Sequence, residues 1–290
     1  MLRGKGWHTD EGVGFPLEII FFIKFLAGLD VCQIGEACKR TGFDGLDVAI
    51  RGNQCVNPGN VASVLPDAVK TWADMGLSAQ LVTLEGNAVD PDDATVQTIF
   101  ETCGRAGMKF IKLGYWGWNA SEHYWDGVRR IRAALEKFQT LSRHHGVCTL
   151  VHTHSDACYG SNASGVMHLV DGFDPQHVAV YLDPAHLAFD GEDLAMGIDI
   201  VRDYLRMIGV KNAGYEPVKD DGRTRWQKTL PLLSEGIVDW STAIGLITAA
   251  GYEGPLCYHG EIDGYMSSQR ILEGAAIDLA FLRQITPSGS

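Results

Sequence analysis

Short runs of β-branched and aliphatic residues recur along the chain, and most are followed by a longer stretch whose apolar positions repeat at helical spacing. The eight runs span 18–26 (EIIFFIKFL), 45–50 (GLDVAI), 79–84 (AQLVTL), 109–114 (KFIKLG), 148–154 (CTLVHTH), 178–183 (VAVYLD), 207–212 (MIGVKN) and 255–261 (PLCYHGE). They are apolar at consecutive rather than alternating positions, as in strands covered on one face and packed within on the other. Helices are predicted over 32–41, 61–75, 92–106, 122–145, 194–204, 241–250 and 269–284, with only a short one over 161–173. Glycine follows several of them (KRTGFDG, ADMGLS, GRAGMK, RHHGV, TAAGYEG), where a left-handed C-cap is needed before the next strand. Strand and helix in alternation predict a parallel sheet with helical crossovers. Eight units, no linker and no G-x-G-x-x-G after the first run predict an α/β protein: one domain over residues 1–290, folded as a (β/α)8 TIM barrel.

Such a barrel carries its site at the carboxyl ends of its strands, so the polar residues ending each run are the candidates. The fifth run ends in His152 and His154, which share a side of the strand. The sixth ends in Asp183, with His186 a turn further on; the seventh ends in Lys211 and Asn212. The eighth ends in His259, Glu261 and Asp263, and the third in Glu85. Strand ends carry so many ionisable groups only when these are paired or bind a cation. The expected metal set is His152 or His154, Asp183 and Glu261, a mixed nitrogen and oxygen set suited to a divalent cation. Mn²⁺ is the first choice, with Zn²⁺, Co²⁺, Fe²⁺ or Mg²⁺ as alternatives. Singly, each residue has a plainer reading: Asp183 caps the turn after it, and Glu261 pairs with Lys211 or Arg270.

Aromatic residues crowd the fourth βα loop: Tyr115, Trp116, Trp118, Tyr124 and Trp125. Rings beside polar groups suit a sugar, whose C–H face stacks while its hydroxyls hydrogen-bond, so Tyr115 and Trp116 are candidate substrate contacts. Arg51, after the second run, is a candidate for an anionic or hydroxyl-rich group. The basic cluster 143–145 complements a helix C-terminus, and His8, His123, His168 and His177 are read as structural. The segment 218–228 (VKDDGRTRWQK) reads as a solvated mixed-charge loop, placed to act as a lid.

Composition narrows the partners. Lys and Arg number 24 against 36 Asp and Glu, a net charge of −12, which opposes nucleic acid and anionic membrane surfaces. Seven cysteines without a C-x-x-C pair, and a polar start (MLRGKGWHTDEG) unlike a signal peptide, predict a reducing, cytoplasmic setting. The apolar run 15–29 is broken by Pro16, Glu18 and Lys24 and is too short to span a bilayer. The closing apolar helix either seals the barrel or meets a second copy in a homo-oligomer.

YLDPAHLAFDGED, VKNAGYEPVKDD and GIVDWSTAIGLITAAGYEGPLCYHGEID resemble the second half of the sugar phosphate isomerase/epimerase superfamily, the xylose isomerase-like barrels. The segment GFDGLDVAIRGNQCVNPGNVASVLPDAV resembles its first half. The resemblance implies a metal aspartate at Asp183, a substrate-contacting histidine at His186 and a metal glutamate, also acid/base, at Glu261. The first ligand, usually glutamate, reads His152, and the usual histidine of the seventh strand reads Gly209. It further implies a metal-dependent isomerase or epimerase of a small sugar or keto-sugar, working through an enediolate formed by proton abstraction next to a carbonyl. Glu261 would be ligand and base, His186 or Lys211 would polarise the substrate oxygen, and His154 or Glu85 would be the second acid/base. A lyase on a keto-inositol or 3-keto-glycoside is the alternative, followed by an inactive binding barrel. A DNA phosphodiesterase resembling endonuclease IV would need more ligands than the chain offers.

Overall fold

The computed structural model describes residues 17–286, and within them eight parallel strands close into a barrel. These are β1 (Ile19–Phe22), β2 (Gly45–Ala49), β3 (Ser78–Thr83), β4 (Phe110–Lys112), β5 (Cys148–His152), β6 (Val178–Leu182) and β7 (Leu205–Val210), followed late in the chain by β10 (Leu256–Tyr258). Neighbours pair in chain order, and β10 closes the ring between β7 and β1 through Leu256↔Ile208 and Ile19↔Leu256. Each of the eight predicted runs supplies one stave. The first run is shorter as a strand than expected: after Phe22 it tightens into a 3-10 turn, Ile23–Phe25, which carries Lys24. His8 lies outside the described residues.

Helices α1 (Val31–Thr41), α2 (Val61–Asp74), α3 (Ala94–Arg105), α4 (Tyr124–His145) and α5 (Ala163–Val170) fill the crossovers of the first half. In the second half come α6 (Pro184–Asp190), α7 (Leu194–Val201), α8 (Trp240–Ala249) and α9 (Ser268–Ile285). The predicted C-caps hold where glycine must be left-handed: Gly42 (φ 101°) ends α1 and Gly146 (φ 69°) ends α4. Their apolar faces lie on the barrel, with Trp72, Phe100, Phe138 and Trp240 almost fully buried beneath them. The closing helix α9 packs against α1 and α8 and so seals the ring. Asp278 pins it, accepting hydrogen bonds from Leu233 N (2.9 Å) and Tyr258 Oη (2.8 Å). No described helix is long and apolar enough to cross a membrane.

Two segments depart from expectation. Residues 184–190, read as a turn, form α6, because Pro184 at the first position presets φ and Asp183 caps the two N–H groups that follow. The stretch read as a solvated loop is an antiparallel hairpin, β8 (Gly214–Asp220) and β9 (Arg223–Thr229), in register from Gly214↔Thr229 to Asp220↔Arg223. Its two-residue turn is Asp221 (φ 47°) and Gly222 (φ 73°), both left-handed as a type I′ turn requires. The hairpin leaves the carboxyl end of β7, on the face where the polar groups gather.

Candidate active site

A cavity of about 430 Å³ opens at that face, a size that suits a small ligand. Period-two geometry explains its lining: on each stave the residue two beyond the last inward-facing one is also aimed at the axis. Thus β2 places Asp47 and Arg51, β5 places His152 and His154, β6 places Tyr181 below Asp183, and β7 places Gly209 below Lys211. After β10, Cys257, His259 and Glu261 follow the same rule.

Besides Asp47 Oδ1 and Arg51 Nε, three atoms in this cluster are buried and have no hydrogen-bond partner: His152 Nε2, Asp183 Oδ2 and His259 Nδ1. Both nitrogens lie 3.6 Å from Asp183 Oδ2, and the three atoms fall within 4.8 Å of one another. The far end of each side chain is tied down. His152 Nδ1 is 3.3 Å from Tyr115 Oη, which also accepts from Lys112 Nζ at 2.7 Å. His259 Nε2 is 2.7 Å from Tyr181 Oη. Tyr181 bonds in turn to Cys257, whose thiol donates to Asp47 Oδ2 at 3.6 Å. Asp183 Oδ1 accepts from Ala185 N at 2.9 Å as the cap of α6. With Nδ1–H of His152 and Nε2–H of His259 assigned to the tyrosine oxygens, the facing nitrogens keep their lone pairs. Partners of this kind orient metal-binding histidines.

Burial holds all three imidazoles of the cluster neutral, pushing His259 down to about 3, His186 to about 2 and His152 well below the usual range. Burial pushes the Asp183 carboxyl up, but the charge of Lys211 foremost more than offsets it and holds the group well below the usual carboxylate range, so it stays ionised. Two neutral imidazoles and one carboxylate, converging through atoms that make no hydrogen bond, fit a first-row divalent cation.

Glu261 is engaged differently. Its Oε2 accepts from Lys211 Nζ at 2.7 Å, and its Oε1 is bound by Lys24. Burial raises its carboxyl, yet Lys211 and then Lys24 hold it well below the carboxylate range. Arg270, an alternative partner by sequence, pairs with Glu273 at 2.9 Å instead. Lys211 also reaches His186 Nε2 (2.9 Å) and lies 3.5 Å from Asp183 Oδ2. Ser155 holds the other side of His186, its N–H and Oγ lying 3.1 and 2.9 Å from Nδ1. His154 packs between the rings of Tyr115 (4.2 Å) and His186 (4.3 Å). Its Nδ1–H donates to Ser155 O at 3.0 Å, leaving Nε2 as the lone-pair nitrogen.

Gly209 accounts for the missing histidine of the seventh strand. A Cβ there would stand 3.0 Å from Asp183 Oδ2, so the carboxylate occupies the space a side chain would need. His259 fills the gap from the neighbouring stave.

Of the sequence candidates, His152, His154, Asp183, His186, Lys211, Glu261, Arg51 and Tyr115 all border the cavity, lining it or, for Asp183, lying buried just behind His152 and His186. Two do not. Trp116 is turned into the core at 7% exposure. Glu85 faces a separate surface depression, where it accepts from Gly52 N at 2.9 Å. Trp125 stacks on His168, 4.8 Å between centroids, away from the cavity. His259, noted above only as a strand-end residue, and Lys24, Asp47, Lys112 and Tyr181 are the participants that sequence reasoning passed over. The available signal was polarity on inward parity: Asp47 in GLDVA and Lys112 in FIK both interrupt buried staves.

A closed parallel barrel with a polar centre at its carboxyl end defines the class of the protein as a TIM barrel. More narrowly, the chain belongs to the xylose isomerase-like TIM barrel family, whose sequence profile matches residues 36–285. No curated protein matches it significantly. Among solved structures it is similar to apo 3-keto-D-glucoside 4-epimerase from E. coli (TM-score 0.70, 16% identity, 92% of this chain and 99% of that one). It is also similar to D-allulose 3-epimerase from Methylomonas sp. in complex with D-allulose (0.68, 12%, 94% and 99%). A third is D-psicose 3-epimerase with D-tagatose from Clostridium cellulolyticum H10 (0.69, 13%, 93% and 99%). At these identities the likeness is one of fold.

Proposed function

We propose that the chain is a metal-dependent isomerase or epimerase of a small sugar or keto-sugar, with His152 Nε2, Asp183 Oδ2 and His259 Nδ1 as the protein ligands. The observation that carries this reading is the convergence of three buried, unpartnered donor atoms whose far ends are each fixed. The similar barrels solved with D-allulose and D-tagatose support a sugar ligand. Mn²⁺ remains the first choice from the family resemblance, and the two imidazoles with one carboxylate also suit Zn²⁺, Co²⁺ or Fe²⁺, with Mg²⁺ a further alternative. When bound, such a cation polarises a carbonyl and its adjacent hydroxyl, which makes the neighbouring C–H acidic enough to lose its proton.

The side chains supply the rest. Lys211, held between Glu261 and His186, donates to a substrate oxygen and orients it. His154 is neutral, because burial and then the charge of Lys211 lower its imidazole, and its Nε2 lone pair takes up a proton. Glu261 stays ionised between Lys24 and Lys211 and positions both ammonium groups. Return of the proton to the neighbouring carbon gives isomerisation, and to the opposite face gives epimerisation. Elimination on a keto-glycoside is the second reading. The observation favouring it is the ammonium pair Lys24 and Lys211, able to protonate a departing oxygen where two carboxylates would not. The protein is assigned to the cytoplasm, as one domain, without nucleic acid or membrane partners.

The test is incubation of keto-sugars with metal-loaded protein in D₂O. The reading requires solvent deuterium next to the carbonyl, falling by about 10²–10⁴-fold in His154→Ala. Absence of exchange across ketoses and keto-glycosides overturns it. Release of aglycone selects the second reading.

A further inference from the structure

Five cationic side chains line the cavity: Lys24, Arg51, Lys112, Lys211 and Lys228. Four have polar partners. Lys24 and Lys211 hold Glu261, Lys228 holds Asp156 and Ser155 Oγ, and Lys112 donates to Tyr115 Oη. Arg51 alone has neither a hydrogen bond nor an ion pair among the described residues. Its guanidinium carbon lies 5.3 Å from the ring centre of Phe22, and its Nε is buried with no acceptor.

Neither acid near it makes a hydrogen bond or ion pair with it, although Asp47 Oδ1 is itself buried without a partner. Glu85, across from the second strand, spends a carboxylate oxygen on the N–H of Gly52. Asp47, two inward positions below, takes Thr83 Oγ1 at 2.7 Å and the Cys257 thiol on the same oxygen. The bond from Gly52 fixes the loop directly after Arg51, so the guanidinium is presented to the cavity on a tethered stem. A guanidinium without an anion, half removed from water, carries a desolvation cost that an arriving anion offsets. Its five donors in a planar fork match a carboxylate or phosphate two bonds at a time.

We infer that Arg51 is an oxyanion subsite, and that the ligand of this cavity is an acidic sugar: a polyol or keto-polyol bearing a carboxylate or phosphate. The acidic group lies against Arg51, and the oxygenated carbons extend toward His152, Asp183 and His259. This deepens the function proposed above and rests on it for the second half of the ligand.

Calorimetric titration of the whole chain tests it with matched pairs, D-glucuronate against D-glucose and D-galacturonate against D-galactose, with D-glucose 6-phosphate as the phosphate arm. At least one acidic sugar binds tighter than its neutral partner by about 10- to 100-fold, the range of a charge-assisted bidentate pair. The uronate and phosphate arms distinguish the source of the anion. Arg51→Gln removes the advantage and changes neutral-sugar affinity less than about two-fold. The melting temperature of ligand-free Arg51→Gln stays level or rises, whereas an arginine with a purely structural role would lower it. Equal binding within every pair, including no binding at all, overturns the inference, as does a preference that survives in Arg51→Gln. Metal content and deuterium exchange, read on the same samples, report separately on the parent reading.

Discussion

At the scale of single residues, the site is built by tying one end of each side chain so that the other end is left free. Tyr181 illustrates this. Its hydroxyl oxygen fixes His259 Nε2 at 2.7 Å, which decides that Nδ1 faces Asp183. Tyr181→Phe should therefore weaken metal affinity about 10- to 100-fold with the ligands intact, measured by competition with a chromophoric chelator. The buried imidazoles also set an acid limit. His186 and His259 titrate at about 2 and about 3 in the folded chain because burial disfavours their charged forms, against about 6.5 when unfolded. Between those values the unfolded chain binds more protons, so this stability is present above pH 6.5 and is lost as pH falls toward 3. Urea denaturation of chelator-treated protein should show that decline, and His186→Asn should flatten it. Asp47 has the opposite sign: burial pushes it up to about 7, so its contribution falls as pH rises from about 4 to 7.

Among elements, β7 and β10 divide between them a task that one stave would otherwise perform. Gly209 leaves room for the Asp183 carboxylate, and His259 on the adjacent stave supplies the imidazole. Gly209→Ala puts a methyl 3.0 Å from Asp183 Oδ2. It should cost about 1–3 kcal/mol by overpacking and should reduce metal affinity along with stability. Asp278 joins α9 to the barrel, and its loss leaves Leu233 N and Tyr258 Oη without their acceptor. Asp278→Ala should destabilise by about 1–3 kcal/mol in chemical denaturation without changing metal affinity. The staves and most helices were legible because consecutive apolar runs and glycine caps are local signals. The hairpin β8–β9 was not, although Asp221-Gly222 is a turn signal, because its strands mix charged and polar residues with few apolar ones and bury almost nothing. Legibility of the site had a similar limit. Parity along a strand picks out His152, Asp183 and Glu261, but which of His259 and Glu261 faces the cation depends on Lys24, contributed from the 3-10 turn after β1, near the other end of the chain.

For the molecule as a whole, a chain of net charge −12 concentrates cations inside one cavity, with Lys24 and Lys211 neutralising Glu261 and Arg51 left over. Ring closure makes this arrangement. Only when β10 lies between β7 and β1 do Lys24, Lys211 and Glu261 meet, so the carboxylate that the family resemblance assigns to the metal is captured by two ammonium groups. The central claim is that His259, in place of Glu261, completes the cation site with His152 and Asp183. Calorimetric titration of the chelator-treated chain with Mn²⁺ and Zn²⁺, beside His259→Ala and Glu261→Gln, tests it most directly. The account predicts one ion per chain, bound by Glu261→Gln within about ten-fold of the parent affinity and lost in His259→Ala. An ion retained by His259→Ala and lost in Glu261→Gln would contradict it.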